Sequence, residues 1–272
     1  LQKIPAMNHN AASHRRLDHR IRLLIPLCLV ILAGQCGWAT AVFGAQKTLT
    51  GDRIPVADGE LIVHPVNHAT LVLGWKGLAI YVDPVGGADR FSNLPGPDLI
   101  LLTDLHSDHL DMDTLKALAG ENTAIIAPSA TIKRLPDTLR TWAKILDNGE
   151  TKSLLGLKIE AIPAYNLTEE RQKYHTKGRG NGYVLTLGET RVYISGDTEE
   201  TPEMRALKNI HLSFLCMNLP YTMTVEQAAT AVRAFRPKIV YPYHYRGSDL
   251  EKFKQLVGDD VGVEVRIRDW YQ

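Results

Sequence analysis

The chain is poor in cysteine, in net charge and in long apolar runs, and each shortage excludes something. Three cysteines occur in 272 residues: Cys28, Cys36 and Cys216. The first two fall in an N-terminal segment that reads as cleavable, which leaves Cys216 alone in the apolar run Leu212-Ser213-Phe214-Leu215-Cys216. A lone cysteine cannot close an internal disulfide, and a small buried core residue is its expected role rather than a thiol nucleophile. A net charge of +1 gives no basic stripe for nucleic acid and no acidic tail, so any anionic substrate must be met by local residues. With 44% apolar and 22% charged residues the balance is that of an ordinary globular protein. No low-complexity linker divides residues 60–272, and no tandem repeat is evident.

The apolar run from Leu23 to Ala33 is about eleven residues, short of the roughly twenty that span a bilayer. Basic residues at His14-Arg15-Arg16 and His19-Arg20-Ile21-Arg22 precede it, and Ala39-Thr40-Ala41 offers a small-x-small pattern after it. That order predicts a secretory signal peptide and short leader over residues 1–45, cleaved near Ala41, and export to a periplasmic or extracellular space. An uncleaved membrane anchor is the competing reading. Gln35 fits a lipoprotein site at Cys36 poorly, and Met7 is a candidate start. Without disulfides, and with no stable membrane span after cleavage, the mature chain must rely on its core and on metal.

From residue 60 the pattern is short strands first, then strands mixed with helices. Strands are predicted at 60–64, 70–75 and 78–82, the last two joined by a Lys76-Gly77 hairpin turn. A strand at 99–102, a helix at 112–118, a strand at 124–127 and a helix at 130–135 follow. The second half repeats the style, with strands near 158–162, 182–186, 191–194 and 212–216, a helix at 225–235, a strand at 238–241, a helix at 249–256 and a strand at 263–267. Two sheet-rich halves with outer helices predict an α+β fold, a four-layer αββα sandwich.

Chemistry concentrates at strand ends. Thr103-Asp104-Leu105-His106-Ser107-Asp108-His109-Leu110-Asp111 puts two histidines and three carboxylates directly behind Leu99-Ile100-Leu101-Leu102. A tight turn after a strand can converge imidazoles and carboxylates on a divalent cation; the alternative is a solvated polar turn. Asp197, in Tyr193-Ile194-Ser195-Gly196-Asp197-Thr198, ends another apolar strand beside a glycine that would let backbone approach a ligand. Taken alone, Asp197 reads first as a helix N-cap for the segment beginning at Thr201. His244, in Pro242-Tyr243-His244-Tyr245, ends a third strand, where an isolated histidine is otherwise a packed interior residue. Thr224 and Gln227 are spaced as a capping box.

The order Asp-x-His-x-Asp-His resembles the His-x-His-x-Asp-His signature of the metallo-β-lactamase superfamily, with Asp104 where a first histidine is usual. The later Asp197 and His244 fall in the superfamily's order. His68-Ala69-Thr70 and Val82-Asp83-Pro84 resemble the branch that includes ascorbate-phosphate lactonase and N-acylphosphatidylethanolamine phospholipase D, rather than the members that cleave β-lactams. The resemblance, which covers residues 60–250, implies a single metallo-hydrolase domain over residues 46–272 and the αββα sandwich of that superfamily. It implies a second metal position made by Asp108, His109, His244 and a bridging Asp197. The first position keeps Asp104 and His106, with only Tyr165 and Asn166 where a third histidine is expected.

Two imidazoles exchanged for oxygen donors would harden that first position. One or two divalent ions are therefore expected, zinc foremost, with manganese or iron suited to the oxygen-rich first position, which is otherwise empty. His175 is a candidate to loop back and supply a nitrogen; a surface role in its polar loop is the alternative. Lys177 and Arg179 beside glycines suit a phosphate or carboxylate, or else mark a mobile hairpin. Tyr221 is a candidate oxyanion donor, and His68 either a partner behind the metal ligands or a structural residue. The expected activity is hydrolysis of an ester, lactone or phosphodiester-type bond in a small-molecule or lipid-like substrate, with Asp108 orienting a metal-activated water. The rival is a metal-depleted binding protein of the same fold. A di-iron oxidoreductase ranks behind both, because Tyr165 and Asn166 offer too few ligands.

Overall fold

The computed structural model describes residues 47–271. The leader, Met7, Ala41, Cys28 and Cys36 lie outside the described residues. Among the described residues no helix is long and apolar enough to cross a membrane.

The first sheet contains seven strands in sequence order: β1 (Asp52–Val56), β2 (Gly59–Asn67), β3 (Thr70–Trp75), β4 (Leu78–Val82), β5 (Leu99–Leu101), β6 (Ala124–Ala127) and β7 (Ala143–Ile145). Pairings through β4 are antiparallel and those from β4 to β7 are parallel. The second sheet repeats this scheme with β8 (Thr151–Leu154), β9 (Leu157–Ala164), β10 (Gly180–Leu187), β11 (Thr190–Ile194), β12 (Leu212–Cys216), β13 (Ile239–Tyr243) and β14 (Glu264–Val265). Its pairings are antiparallel through β11 and parallel from β11 to β14. The two halves thus share one architecture although their sequences show no repeat.

The central strands are apolar on both faces because both faces are covered. Leu71, Leu73, Ile80, Val82 and Leu101 enter the interior shared with Tyr183, Leu185, Val192 and Ile194 of the second sheet. The alternate residues Val72, Tyr81 and Ile100 turn the other way, against Leu115 of helix α1 (Met112–Leu118) and against Leu135 and Leu139. Period-2 alternation thus serves two cores at once. Short helices α2 (Ser129–Ile132), α3 (Asp137–Arg140) and α4 (Glu169–Gln172) follow along the chain, and α5 (Pro202–Arg205), α6 (Val225–Phe235) and α7 (Leu250–Val257) flank the second sheet. The result is the αββα sandwich.

Local chemistry explains most boundaries. Lys76 and Gly77 both adopt positive φ, 48° and 83°, which is the primed turn that a tight β3–β4 hairpin requires. Thr224 and Gln227 exchange hydrogen bonds of 3.1 and 2.9 Å in a complete capping box at the start of α6. The helix expected over 130–135 is only α2 and a following turn. Pro136 biases Leu135 away from the helical region, and the chain restarts as α3 after it. The strand expected over 263–267 shrinks to the two residues of β14 at the sheet edge.

Parallel strands β4, β5, β11, β12 and β13 all end on one side, and the polar loops that leave them meet there. Tyr183 of β10 ties the sheets together at that end: its buried hydroxyl donates to the carbonyl of Leu102, just past β5, at 2.7 Å. Tyr183→Phe is expected to lower stability by about 1 kcal/mol, a fall in Tm of roughly 2–4 °C measured by thermal denaturation. An unchanged Tm would show that this bond does not hold the sheets in register.

Candidate metal centre

Asp83 leaves β4 with φ 44° and is fully buried. One of its oxygens accepts from the Thr103 amide at 2.7 Å, and the other accepts from the Thr103 hydroxyl at 2.5 Å and faces His109 Nδ1 at 2.8 Å. With Nδ1 occupied by a carboxylate, His109 presents Nε2 to the site, the arrangement by which proteins set the tautomer of a metal-binding imidazole. Burial disfavours the charged ring, but the carboxylates of Asp197 and Asp83 outweigh it and raise the His109 pKa well above the ordinary value. Burial likewise lifts the Asp83 carboxyl above its usual range, against the opposing pull of His109.

Asp197 leaves β11 and stands at the middle of the cluster. Its Oδ2 lies 3.3 Å from His109 Nε2 and 3.2 Å from His175 Nε2, and its Oδ1 lies 3.3 Å from His244 Nε2. Burial would raise its pKa, yet the surrounding imidazoles of His244, His109 and His175 hold it well below the carboxylate range. Helix α5 is capped by Thr201, whose hydroxyl accepts from the Met204 amide, so Asp197 is not spent as an N-cap. Gly196 is needed for a different reason than ligand approach: at φ 60°, a Cβ would come within 2.5 Å of the Asn181 carbonyl oxygen on β10.

Asp108 Oδ2 is 3.3 Å from both His68 Nε2 and His244 Nε2. Burial raises its pKa, but the hydrogen bonds of His244 and His68 prevail and keep the carboxyl ionised far below its usual range. His68 also belongs to this wall. Its ring lies 3.7 Å from that of His244, centroid to centroid, and its Nδ1 meets the Tyr271 hydroxyl at 2.7 Å. The ionised Asp108 carboxylate can only accept, so His68 Nε2 carries the proton that holds it, and in the neutral ring Nδ1 accepts from the Tyr271 hydroxyl. Burial outweighs the opposing pull of Asp108, lowers the His68 pKa and favours this neutral form.

His175 joins the site. Its Nδ1 meets the Tyr221 carbonyl at 3.0 Å and its Nε2 points at Asp197 and, at 3.6 Å, at Asp104 Oδ2. Asp104, His106 and His175 therefore bring ligand atoms together beside the quartet Asp108, His109, Asp197 and His244. This corrects the expectation of an oxygen-rich first position. Asn166 stands behind His175, its amide nitrogen donating to the carbonyls of Arg171 and Tyr221. Tyr165 turns its hydroxyl away to Glu203 at 2.9 Å. Only Asp104 replaces a usual imidazole.

The loop that carries His175 is a held structure rather than a mobile hairpin. Buried Glu199 accepts from the amides of Leu167 and Thr168, both at 2.6 Å, and pairs with Arg171 at 2.6 Å. Lys177 and Arg179 are not available as a free anion cradle either, since Lys177 pairs with Glu203 and Arg179 with Asp104. Cys216 is buried, with its thiol pushed up to about 12 by burial, and takes no part.

The donor set fits a divalent ion. His109 Nε2, His175 Nε2 and Asp197 Oδ1 are buried without a hydrogen-bond partner, an arrangement that costs about 1–3 kcal/mol per group when nothing satisfies it. A cation shared by these lone pairs removes that penalty. The two clusters open into a cavity of about 820 Å³ walled by Val85, Tyr174, Asn218, Leu219, Tyr221 and Arg246. Asp83, Thr103 and Glu199 support the site although no role was assigned to them from sequence. Only Asp83 carried a signal, a carboxylate at a strand end before proline.

An αββα sandwich with a histidine and aspartate cluster at its strand ends is the architecture of a metal-dependent hydrolase. The chain belongs to the β-lactamase superfamily: the profile of the Beta-lactamase superfamily domain matches residues 79–245. A candidate metal-dependent hydrolase of Parabacteroides distasonis is 42% identical, superposes with a TM-score of 0.75, and is matched over 83% of this chain and 100% of its own. A UPF0173 metal-dependent hydrolase of Thermococcus onnurineus is 30% identical over 175 residues, 61% of this chain and 77% of the relative. Another from Aeropyrum pernix is 31% identical over 230 residues, 74% of this chain and 92% of the relative. His175 removes the shortage of ligands that counted against a di-iron oxidoreductase; the relatives of 30% identity or more named above are metal-dependent hydrolases.

Two outcomes check the supports. Asp83→Asn is expected to weaken divalent-metal binding about 10–100-fold in a chelator competition assay; unchanged affinity would leave Asp83 a purely structural residue. Glu199 is the second. Burial pushes its pKa up, but the donors on Thr168 and Leu167 and the charge of Arg171 bring it below the ordinary value. Its stabilisation is therefore complete above the usual glutamate range and is lost as the pH falls through the lowered folded-state value. Glu199→Gln at neutral pH, and acid in the wild type, are both expected to lower the amide-exchange protection factors over residues 166–175, taken relative to the intrinsic rate at each pH. Equal protection in all cases would contradict this.

Proposed function

We propose that the protein hydrolyses an ester, lactone or phosphodiester-type bond in a small-molecule or lipid-like substrate, with zinc held by Asp108, His109, Asp197 and His244. The observation that carries this reading is the convergence of unpartnered imidazole and carboxylate atoms at the floor of the 820 Å³ cavity. Two nitrogen and two carboxylate donors without a thiolate suit zinc. When bound, the ion supplies Lewis acidity and makes water acidic enough to attack near neutral pH.

The chain's own groups do the rest. Asp108 is the most exposed of the four, with 44% of its side chain accessible, and of the two carboxylates that line the cavity it is the one open enough to accept a hydrogen bond from an entering water and orient it. His68 fixes that carboxylate through Nε2–H. Asp83 holds His109 from behind, and the Tyr221 carbonyl holds His175. The Tyr221 side chain lines the cavity, its ring edge-on to Tyr174 at 5.0 Å, and is the candidate donor to a developing oxyanion.

The mouth of the cavity supports an apolar or lipid-like substrate group. Leu219 and Tyr221 are 50% and 45% exposed there, beside Pro220 and Val85. Large apolar side chains grouped at the rim of a polar site mark a surface that meets a ligand. The rival reading, a binding protein that has lost metal chemistry, rested on a depleted first position; with His175 in place, that motive is gone.

The test is a panel of aryl esters, lactones and a bis-aryl phosphodiester, run with metal analysis. Chelation is expected to abolish turnover and zinc to restore it. Asp108→Ala is expected to lose about 10²–10⁴-fold in rate, and His109→Ala to lose both bound zinc and turnover. Full activity in metal-free Asp108→Ala protein would refute the reading.

A further inference from the structure

The first metal position already contains a cation of the protein's own. Arg179 stands immediately before β10 and reaches Asp104 through Nε at 3.3 Å and Nη2 at 3.2 Å. The same Nη2 lies 3.4 Å from His106 Nε2 and donates to the Tyr174 carbonyl, so the guanidinium is clamped on three sides. Asp104 is 2% exposed and also meets His106 Nδ1 at 2.7 Å. Burial alone would raise the Asp104 carboxyl, but His106, His109 and Arg179 hold it ionised, below its usual range.

Asp104, Asp108 and Asp197 place three carboxylates around the two positions, one more than a histidine at Asp104 would give. A guanidinium on Asp104 cancels the extra charge. Arg179 does not line the substrate cavity, so its partner is the carboxylate and not a ligand arriving from solvent. An ion entering among Asp104, His106 and His175 must compete with a fixed, paired positive charge within hydrogen-bond distance of two of its donors. The quartet of Asp108, His109, Asp197 and His244 faces no arginine or lysine at that range among the described residues.

Building on the hydrolase reading, we propose that Arg179 sets the metal stoichiometry: it occupies the first position electrostatically, so the chain holds one ion tightly in the quartet and a second only weakly beside Asp104. Asp104 and Arg179 together then do the work of a histidine and a metal ion, keeping His106 and His175 in place without a second cation. Arg179 is a positioning residue in this scheme and touches no substrate.

The experiment is calorimetric titration of metal-stripped, full-length protein with zinc, with native mass spectrometry counting the ions. The wild type is expected to bind one ion tightly and a second at least tenfold more weakly. Arg179→Met removes the charge and keeps the bulk; it is expected to tighten the second ion at least tenfold, whereas Arg179→Lys leaves it weak. Two ions of equal affinity in the wild type, or a folded Arg179→Met whose second ion is unchanged, would overturn the proposal. Should Arg179→Met fail to fold, Arg179→Gln serves instead, removing the charge and keeping a hydrogen-bond donor, and is expected to tighten the second ion likewise; a second ion bound as in the wild type would overturn the proposal. A chain that binds no zinc at all overturns the hydrolase reading as well, which separates the two failures.

Discussion

The site is organised around one buried carboxylate. Asp197 is 4% exposed and faces three imidazole nitrogens at 3.2–3.3 Å, from His109, His175 and His244. A carboxylate so placed is sustained only by positive charge, from protonated rings or from metal, because its burial otherwise costs several kcal/mol. Everything nearby serves that need. The three histidines come from the β5 exit, the loop before β10 and the β13 exit, so the two sheets must stack with these ends together. The Tyr183 bond to Leu102 and the Asp83 clamp on Thr103 pin the same corner from both sheets.

Function follows from asymmetry around that carboxylate. On one side, the quartet with Asp108 opens to the cavity and faces no arginine or lysine at contact range among the described residues. On the other, the trio with Asp104 reaches the same cavity through His106 and His175 but carries Arg179 on its carboxylate. Asp83 and Tyr221 each face the far ring nitrogen of a site histidine and fix which lone pair points inward, while His68 holds Asp108 at the same Oδ2 that faces His244. A set of lone pairs aimed at one point before any ligand arrives is preorganised, which is the property a hydrolytic metal site requires.

Most of the fold was legible because apolar runs flanked by glycine and proline mark strands that are covered on both faces, as in 70–75 and 78–82. The helices of four residues were less so, since a single turn leaves no periodicity to detect. Among site residues, Asp104, His106, Asp108, His109, Asp197 and His244 stand at strand exits, where local sequence announces them. His175 does not. It sits nine residues beyond Asn166, in a loop whose path is set by Glu199 and Arg171, and no local pattern encodes that path. Arg179 misled for the same reason: glycine neighbours suggested an anion cradle, whereas its carboxylate partner is 75 residues away in sequence. The repeated strand order of the two halves was likewise hidden, because different side chains satisfy the same layer packing.

The most direct test of the central claim is a crystal structure of zinc-loaded protein with anomalous data at the zinc edge. The account predicts a strong anomalous peak bounded by Asp108, His109, Asp197 and His244. Zinc bound elsewhere in the chain, with Asp197 and the three histidines bridged only by water, would contradict it.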